Sequence, residues 1–244
     1  ENIMKVLFLV PEQYGLFDPL KEAFLYLGIE VYPFSYQNFI KKWMLRVNDQ
    51  IFRLPDKFRL KWEGYFLEKI NQEYIEIYDQ IDPDLIFVYN NELLLPKTVN
   101  YFKKSSKIAF FLGDNPFYTP TNRYFLDLLF KADAVFSPDR FWISQLSKLG
   151  LDNMHYLLPG IPARRYYQKE LSPEVTRALH SEVLYIGTCY PSTWGYKKAR
   201  FLSHFTDFDL RIYGNRHWRR WFSFFPELEA HFQLRSGYLP TEKM

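Results

Sequence analysis

The sequence has 244 residues, 48% hydrophobic and 24% charged, which suits one large domain or two small ones and excludes a disordered chain. A net charge of +3 is too small to make the whole fold a binder of polyanions, so basic surface must be local and no nucleic-acid partner is expected. One cysteine, Cys189, excludes an intramolecular disulfide framework; without a leader or an apolar run of membrane-spanning length, the expected location is the cytoplasm.

MKVLFLV (4–10) is a short apolar run ended by Pro11, as a buried strand is. A helix is expected next, with Asp18 as its cap, Pro19 at its first position, Leu20, Phe24 and Leu27 on one face and Gly28 just past its end. IEVYPF (29–34) reads as a second strand. Between Phe58 and Ile81 the residues Trp62, Phe66, Ile70, Tyr74 and Tyr78 recur every four positions among charges, which predicts an amphipathic helix. DLIFVYN (84–90), KIAFFLGD (107–114), DAVFSPD (133–139) and MHYLLPG (154–160) repeat the buried-strand pattern with helical stretches between most of them. Near-continuous apolar strands alternating with helices predict an α/β domain, Rossmann-like, with a mainly parallel sheet of about six strands covered on both faces.

LPGIPARRYYQKELSP (158–173) has linker composition, and after it the alternation restarts with EVLYIGT (182–188), a helix around 196–204, DLRIYGN (209–215) and a short strand within 232–239. The expected organisation is an N-terminal Rossmann-like domain over 1–160, a linker over 161–178 and a second Rossmann-like domain over 179–244. Two or three strands make an incomplete doubly wound sheet, so the second domain is expected to be partial in this chain.

Ligands of open parallel sheets lie beyond the carboxyl ends of the strands, where loops meet the positive ends of helices. FFLGDNPF (110–117) leaves an apolar strand abruptly there, aiming Asp114 and Asn115 at that edge; the same residues also read as a turn that Asp114 begins and Pro116 ends. Glu12, Asn90, Asn91, Glu92 and Arg140 stand at the ends of other strands. In the second half Gly187 and Thr188 follow one strand, and Tyr213, Gly214 and Asn215 close another; small residues there allow a backbone to approach a phosphate. No G-x-G-x-x-G and no Walker A loop occurs. The triplets Asp82-Pro83-Asp84 and Asp207-Phe208-Asp209 precede strands and read as turns at the opposite edge, and the five histidines show no paired ligand spacing, so no metal is expected. RHWRRWFSFF (216–225) reads as a helix with rings on the sheet and arginines in water, or as a peripheral contact with an anionic membrane surface.

EVLYIGTCYPSTWGYKKARFLSHFTDFDLRIYGNRHW with LRSGYLPTEKM resembles the C-terminal domain of CgeB-like (spore maturation protein type) glycosyltransferases, and FFLGDNPF, AVFSPDRFWISQLSKLG and YLLPGIP resemble features upstream of it. The resemblance covers 107–244 and reaches the first hundred residues by topology alone. It implies the two-domain GT-B fold, a nucleoside diphosphate sugar as co-substrate on the C-terminal side, a glycan or other hydroxyl acceptor on the N-terminal side, and no obligatory cofactor or metal. Asp114, then Glu12, are the candidates for the base that deprotonates the acceptor; Gly187, Thr188, Lys197, Tyr213, Gly214 and Asn215 are candidates for the donor side, and Asn90, Asn91, Glu92, Asn115 and Arg140 for the acceptor side. The family's Arg after the first strand of its second domain has no clean counterpart in CYPSTWGYKK, where Lys197 or Lys198 can stand in. Its later donor-site segment would lie beyond Met244. A non-catalytic nucleotide- or glycan-binding module of the same fold is the rival reading.

Overall fold

The computed structural model describes residues 3–12, 16–90, 93–117, 123–160, 170 and 172–234. The chain divides into two compact units, Glu1–Ile161 and Pro162–Met244.

In the first unit six strands, β1 (Lys5–Leu9), β2 (Glu30–Pro33), β3 (Leu85–Tyr89), β4 (Lys107–Phe111), β5 (Ala134–Ser137) and β6 (Met154–Tyr156), form one sheet in the order β2-β1-β3-β4-β5-β6. Every neighbouring pair is parallel, with Val6 opposite Leu85 and Ile86 opposite Ile108. The chain steps outward from β1 to β2, then crosses to the other side of β1 for β3, so the strand order reverses between β1 and β3. That reversal opens a crevice beyond their carboxyl ends.

The helices are α1 (Phe17–Tyr26), α2 (Tyr36–Phe39), α3 (Lys42–Gln50), α4 (Asp56–Ile81), α5 (Pro96–Phe102), α6 (Phe125–Lys131) and α7 (Arg140–Lys148). The continuous apolar strands are explained by cover on both faces. Leu7, Leu9, Ile86, Val88, Ile108 and Phe110 point into one core with Phe66, Ile70, Tyr74 and Tyr78 of α4. Val6, Phe8, Phe87, Tyr89, Ala109 and Phe111 point into another with Phe17 and Phe24 of α1. Helix α4 carries the four-residue spacing seen in the sequence, starts two residues earlier than Phe58, and closes at Asp82, whose φ is +49°. Helix α1 corrects one expectation. Asp18 and Pro19 are its second and third residues and not its cap and first position, the flanking residue is Leu16, and no side chain caps the helix, whereas Gly28 does stand just beyond it with φ +75°.

The second unit holds β7 (Val183–Ile186), β8 (Leu210–Gly214) and β9 (Phe232–Leu234) in a parallel sheet of that order, with α8 (Pro173–Leu179) and α9 (Thr193–Leu202). Residues 173–178 of the expected linker are helical, because Ser172 accepts the Val175 N–H as a cap and Pro173 suits the first turn. Two-sided cover does not extend to β7. Val183 and Tyr185 pack on the core, while Leu184 and Ile186 are exposed. RHWRRW (216–221) is a 3-10 segment whose Trp218 and Trp221 are buried and whose Arg216, Arg219 and Arg220 are exposed. No helix among the described residues is long and apolar enough to cross a membrane.

Candidate functional site

Strands β3 and β4 end side by side, and one side chain ties their loops together. Asn90, in the left-handed region with φ +54°, accepts the Gly113 and Asp114 N–H groups on its Oδ1 at 2.9 and 3.2 Å. Its Nδ2 donates to Asp114 Oδ2 at 2.8 Å. Asparagine suits the position, since it tolerates that backbone and carries both a donor and an acceptor. Gly113 is required by close approach: a Cβ there would run into the Tyr89 ring, which lies under the turn. The apolar run therefore stops because β4 must pass over Tyr89 and enter a turn held by Asn90. Asp114 and Asn115 are both exposed, and Asn115 Oδ1 accepts the Phe117 N–H at 2.9 Å, which fixes the turn that follows.

The other expected groups of this unit make contacts of their own. Glu12, after β1, accepts from Asn38 of α2 at 3.4 Å. Arg140 begins α7 and stacks over the Tyr156 ring at 4.6 Å, while Asp139 caps that helix by accepting from Phe141 N at 2.7 Å. Asn91 and Glu92 lie outside the described residues. The chain just after them is pinned by a residue the sequence reading did not single out. Buried Asn71 of α4 donates to Leu93 O at 2.9 Å and accepts from Leu95 N at 2.8 Å. Its signal was a polar residue interrupting the apolar stripe of Leu67, Tyr74 and Tyr78. An open hollow of about 710 Å³ along α4 and α5 is bordered by Tyr65, Gln72 and Lys97 and by none of the expected site residues that are among the described ones.

In the second unit the loop after β7 is fastened from the β8 side. Asn215 accepts the Cys189 N–H at 3.1 Å and donates to Cys189 O at 3.2 Å. Trp218 Nε1 donates to Gly187 O at 3.1 Å and Trp221 Nε1 to Tyr190 O at 3.0 Å. The Gly187 N–H donates to Tyr213 O at 2.9 Å, continuing the sheet. Gly187 is thus not a donor toward a phosphate, Asn215 is a backbone clamp, and Gly214 is small because a Cβ would meet the Trp218 indole. Lys197 lies over the Trp194 ring at 4.9 Å, whereas Lys198 reaches the loop, donating to Thr188 O at 3.1 Å. The loop so fastened is Thr188–Ser192, which leads into α9. Cys189 is buried there, and burial raises its thiol pKa, which disfavours the thiolate.

Both Asp-x-Asp triplets stand at the amino edges of their sheets. Asp84 Oδ2 accepts the Lys5 N–H at 2.8 Å and Asp209 O accepts the Glu182 and Val183 N–H groups, so each joins strand starts. No group of three or more His, Cys, Asp or Glu side chains able to hold a metal occurs among the described residues.

No family model and no curated protein matches the sequence. Solved structures do resemble it. The S. aureus MnaA-UDP co-structure superposes with a TM-score of 0.58 at 13% identity, over 97% of this chain and 69% of that one. A glycosyltransferase from Rickettsia africae gives 0.59 at 13% identity, over 100% and 70%. The UDP-GlcNAc 2-epimerase of Methanocaldococcus jannaschii in complex with UDP-GlcNAc and UDP gives 0.55 at 11% identity, over 99% and 75%. At such identities the likeness is one of fold: α/β, of GT-B type, with two Rossmann-like units, spanning about seven-tenths of the length of the first of these relatives.

Proposed function

We propose that the chain is a nucleotide-sugar-dependent enzyme of GT-B type, a CgeB-like glycosyltransferase moving a sugar from a nucleoside diphosphate sugar to a hydroxyl acceptor in glycan or surface-polysaccharide synthesis. The observation that carries it is the fold, two all-parallel sheets resembling those of a glycosyltransferase and of UDP-GlcNAc 2-epimerases, some of them holding UDP or UDP-GlcNAc. The first unit takes the acceptor and the second the donor. In the transfer the acceptor oxygen bonds to the anomeric carbon, the bond from that carbon to the diphosphate oxygen breaks, and the acceptor proton goes to a carboxylate. Asp114 is that base, oriented by Asn90, with Glu12 second. Asn90, Asn91, Glu92, Asn115 and Arg140 line the acceptor side, with Asn115 and Arg140 acting through the turn and the stack they already make. The diphosphate meets the Thr188–Ser192 loop and the start of α9, where backbone N–H groups favour anions, and Lys198 adds positive charge in preference to Lys197. Tyr213, Gly214 and Asn215 build that loop from beneath. The single cysteine is in keeping with a reducing, cytoplasmic setting.

The internal use of Gly187, Gly214 and Asn215 favours a second reading, a non-catalytic module that binds a nucleotide or glycan. A panel of UDP, GDP, ADP and dTDP with their sugars, followed by thermal shift and by release of the nucleoside diphosphate from each sugar, separates the two. A nucleotide at about 100 times its Kd stabilises by about 2.7 kcal/mol. Asp114→Asn is expected to retain that shift while slowing turnover by about 100-fold or more, the usual weight of a general base. Binding without turnover by any sugar selects the module; no shift with any nucleotide removes the enzyme and the nucleotide-binding module alike, leaving a glycan as the module's ligand.

A further inference from the structure

The strongest concentration of charge lies far from the loops just described in sequence. Residues 41–61 carry seven basic side chains and two acidic ones, Asp49 and Asp56, which leaves the other 223 residues at a net charge of −2. The same segment is unusually rich in exposed apolar surface. Trp43 is 53% exposed and Phe58 61%, with Val47, Leu54 and Leu60 also exposed, and Tyr65, 55% exposed, extends the surface one turn further along α4.

These residues form a face. On α3, Trp43, Arg46, Val47 and Gln50 follow the i, i+3, i+4, i+7 spacing and are exposed together, while Met44 turns into the core. On α4, Phe58, Lys61 and Tyr65 share a face by the same spacing. The two helices meet there: the Trp43 ring lies 6.1 Å from Trp62, and Trp62 lies 5.9 Å from Tyr65. Trp62 in turn stacks on buried Phe66 at 6.3 Å, so the outer rings stand on the core in fixed positions. Asp56 is paired with Arg59 at 3.1 Å, so these two charges offset one another and the segment's net charge of +5 rests on its other residues. Helix α2, whose Asn38 holds Glu12, leads directly into this face.

We propose that the α3–α4 face is a docking surface for an anionic lipid bilayer. Exposed Trp, Phe and Tyr rings prefer the headgroup boundary, because one side of each ring is apolar while the boundary stays hydrated. The interleaved Arg46 and Lys61 supply attraction to acidic headgroups, about fivefold in partition per basic residue. The charge complementarity selects this occupant over a neutral apolar partner. The proposal does not depend on the transferase reading, since it concerns a surface with no residue of the proposed chemistry.

The test is co-sedimentation of the 244-residue protein with vesicles of equal phosphatidylglycerol and phosphatidylcholine, against phosphatidylcholine alone. Binding is expected to the anionic vesicles, with a blue shift of tryptophan emission, and to weaken strongly when salt screens the charges. Arg46→Glu with Lys61→Glu should reduce the partition coefficient at least about thirtyfold, and Trp43→Ser with Phe58→Ser at least about tenfold. All four positions are exposed, and unchanged circular dichroism checks that the variants fold. Arg219→Glu with Arg220→Glu should leave binding intact. Equal binding to neutral vesicles, no binding to either, loss of binding only with the Arg219/Arg220 variant, or a dimer that Phe58→Ser abolishes would each overturn the proposal.

Discussion

Replacing Asn90 tests how the candidate carboxylate is held. Its side chain makes three hydrogen bonds, to Gly113 N at 2.9 Å, Asp114 N at 3.2 Å and Asp114 Oδ2 at 2.8 Å, and its backbone is left-handed with φ +54°. Only the Gly113 bond is partly buried; a typical net value of about 1 kcal/mol applies to it, and the two exposed bonds together add at most about as much. Asn90→Gly keeps the backbone conformation and loses the bonds, so it should destabilise the turn by about 1–2 kcal/mol. Asn90→Ala adds a Cβ in the left-handed region, about 1 kcal/mol more. Amide hydrogen exchange is the appropriate assay, because it reads Gly113 itself instead of an average over two units. The Gly113 amide should exchange about 5–30 times faster in Asn90→Gly and faster again in Asn90→Ala. Unchanged Gly113 protection in Asn90→Gly, or the same effect from Gly and Ala, would refute the account.

Two further outcomes follow from the packing. Asp133 is partly buried, which alone would raise its pKa, but the Ile108 N–H and the nearby Lys107 and Lys103 outweigh this and hold it below its ordinary 3.8. A carboxyl with a depressed folded pKa stabilises above its unfolded value, and that stabilisation fades as pH falls through the folded one. The stability gap between wild type and Asp133→Asn in urea titrations should be full at neutral pH and close below 3.8; a gap independent of pH would contradict it. A matched pair of glycines gives opposite signs. Gly214→Ala should destabilise the second unit by about 1–3 kcal/mol by pushing on Trp218, whereas Gly64→Ala, in mid-helix where an added Cβ meets nothing beyond its own helix backbone among the described residues, should stabilise the first by about 0.5–1 kcal/mol. Denaturation midpoints decide, and two shifts of the same sign would count against the packing described.

Much of the fold was legible because burial on both faces leaves an unbroken apolar signature. Each of the six strands of the first unit falls within a run recognised from sequence, and α4 follows its four-residue stripe. Misses came where local composition has two structural outcomes. Pro173 reads as linker punctuation and as a first-turn residue with equal ease; the choice fell to Ser172, whose hydroxyl caps the helix that follows. Asp18 with Pro19 resembles a cap, yet α1 begins at Phe17, a residue buried against Phe8 with its ring 5.5 Å away, so packing set the helix start. The alternating exposure of β7 was not visible in EVLYIGT, where both faces are equally apolar.

The candidate site was legible as a place more than as a set of roles. A polar or small residue just past a strand marks the carboxyl edge, but it marks ligand contact and loop fastening alike. Three-dimensional partners separate them, and both units use the same device. Asn90, one residue beyond β3, bonds the loop beyond β4; Asn215, one residue beyond β8, bonds the loop beyond β7. In the first unit the fastened loop presents an exposed carboxylate at Asp114. In the second it presents a backbone stretch anchored by two indoles, with Lys198 reaching back to it. Both asparagines therefore set loop position, which is the role that their hydrogen bonds show.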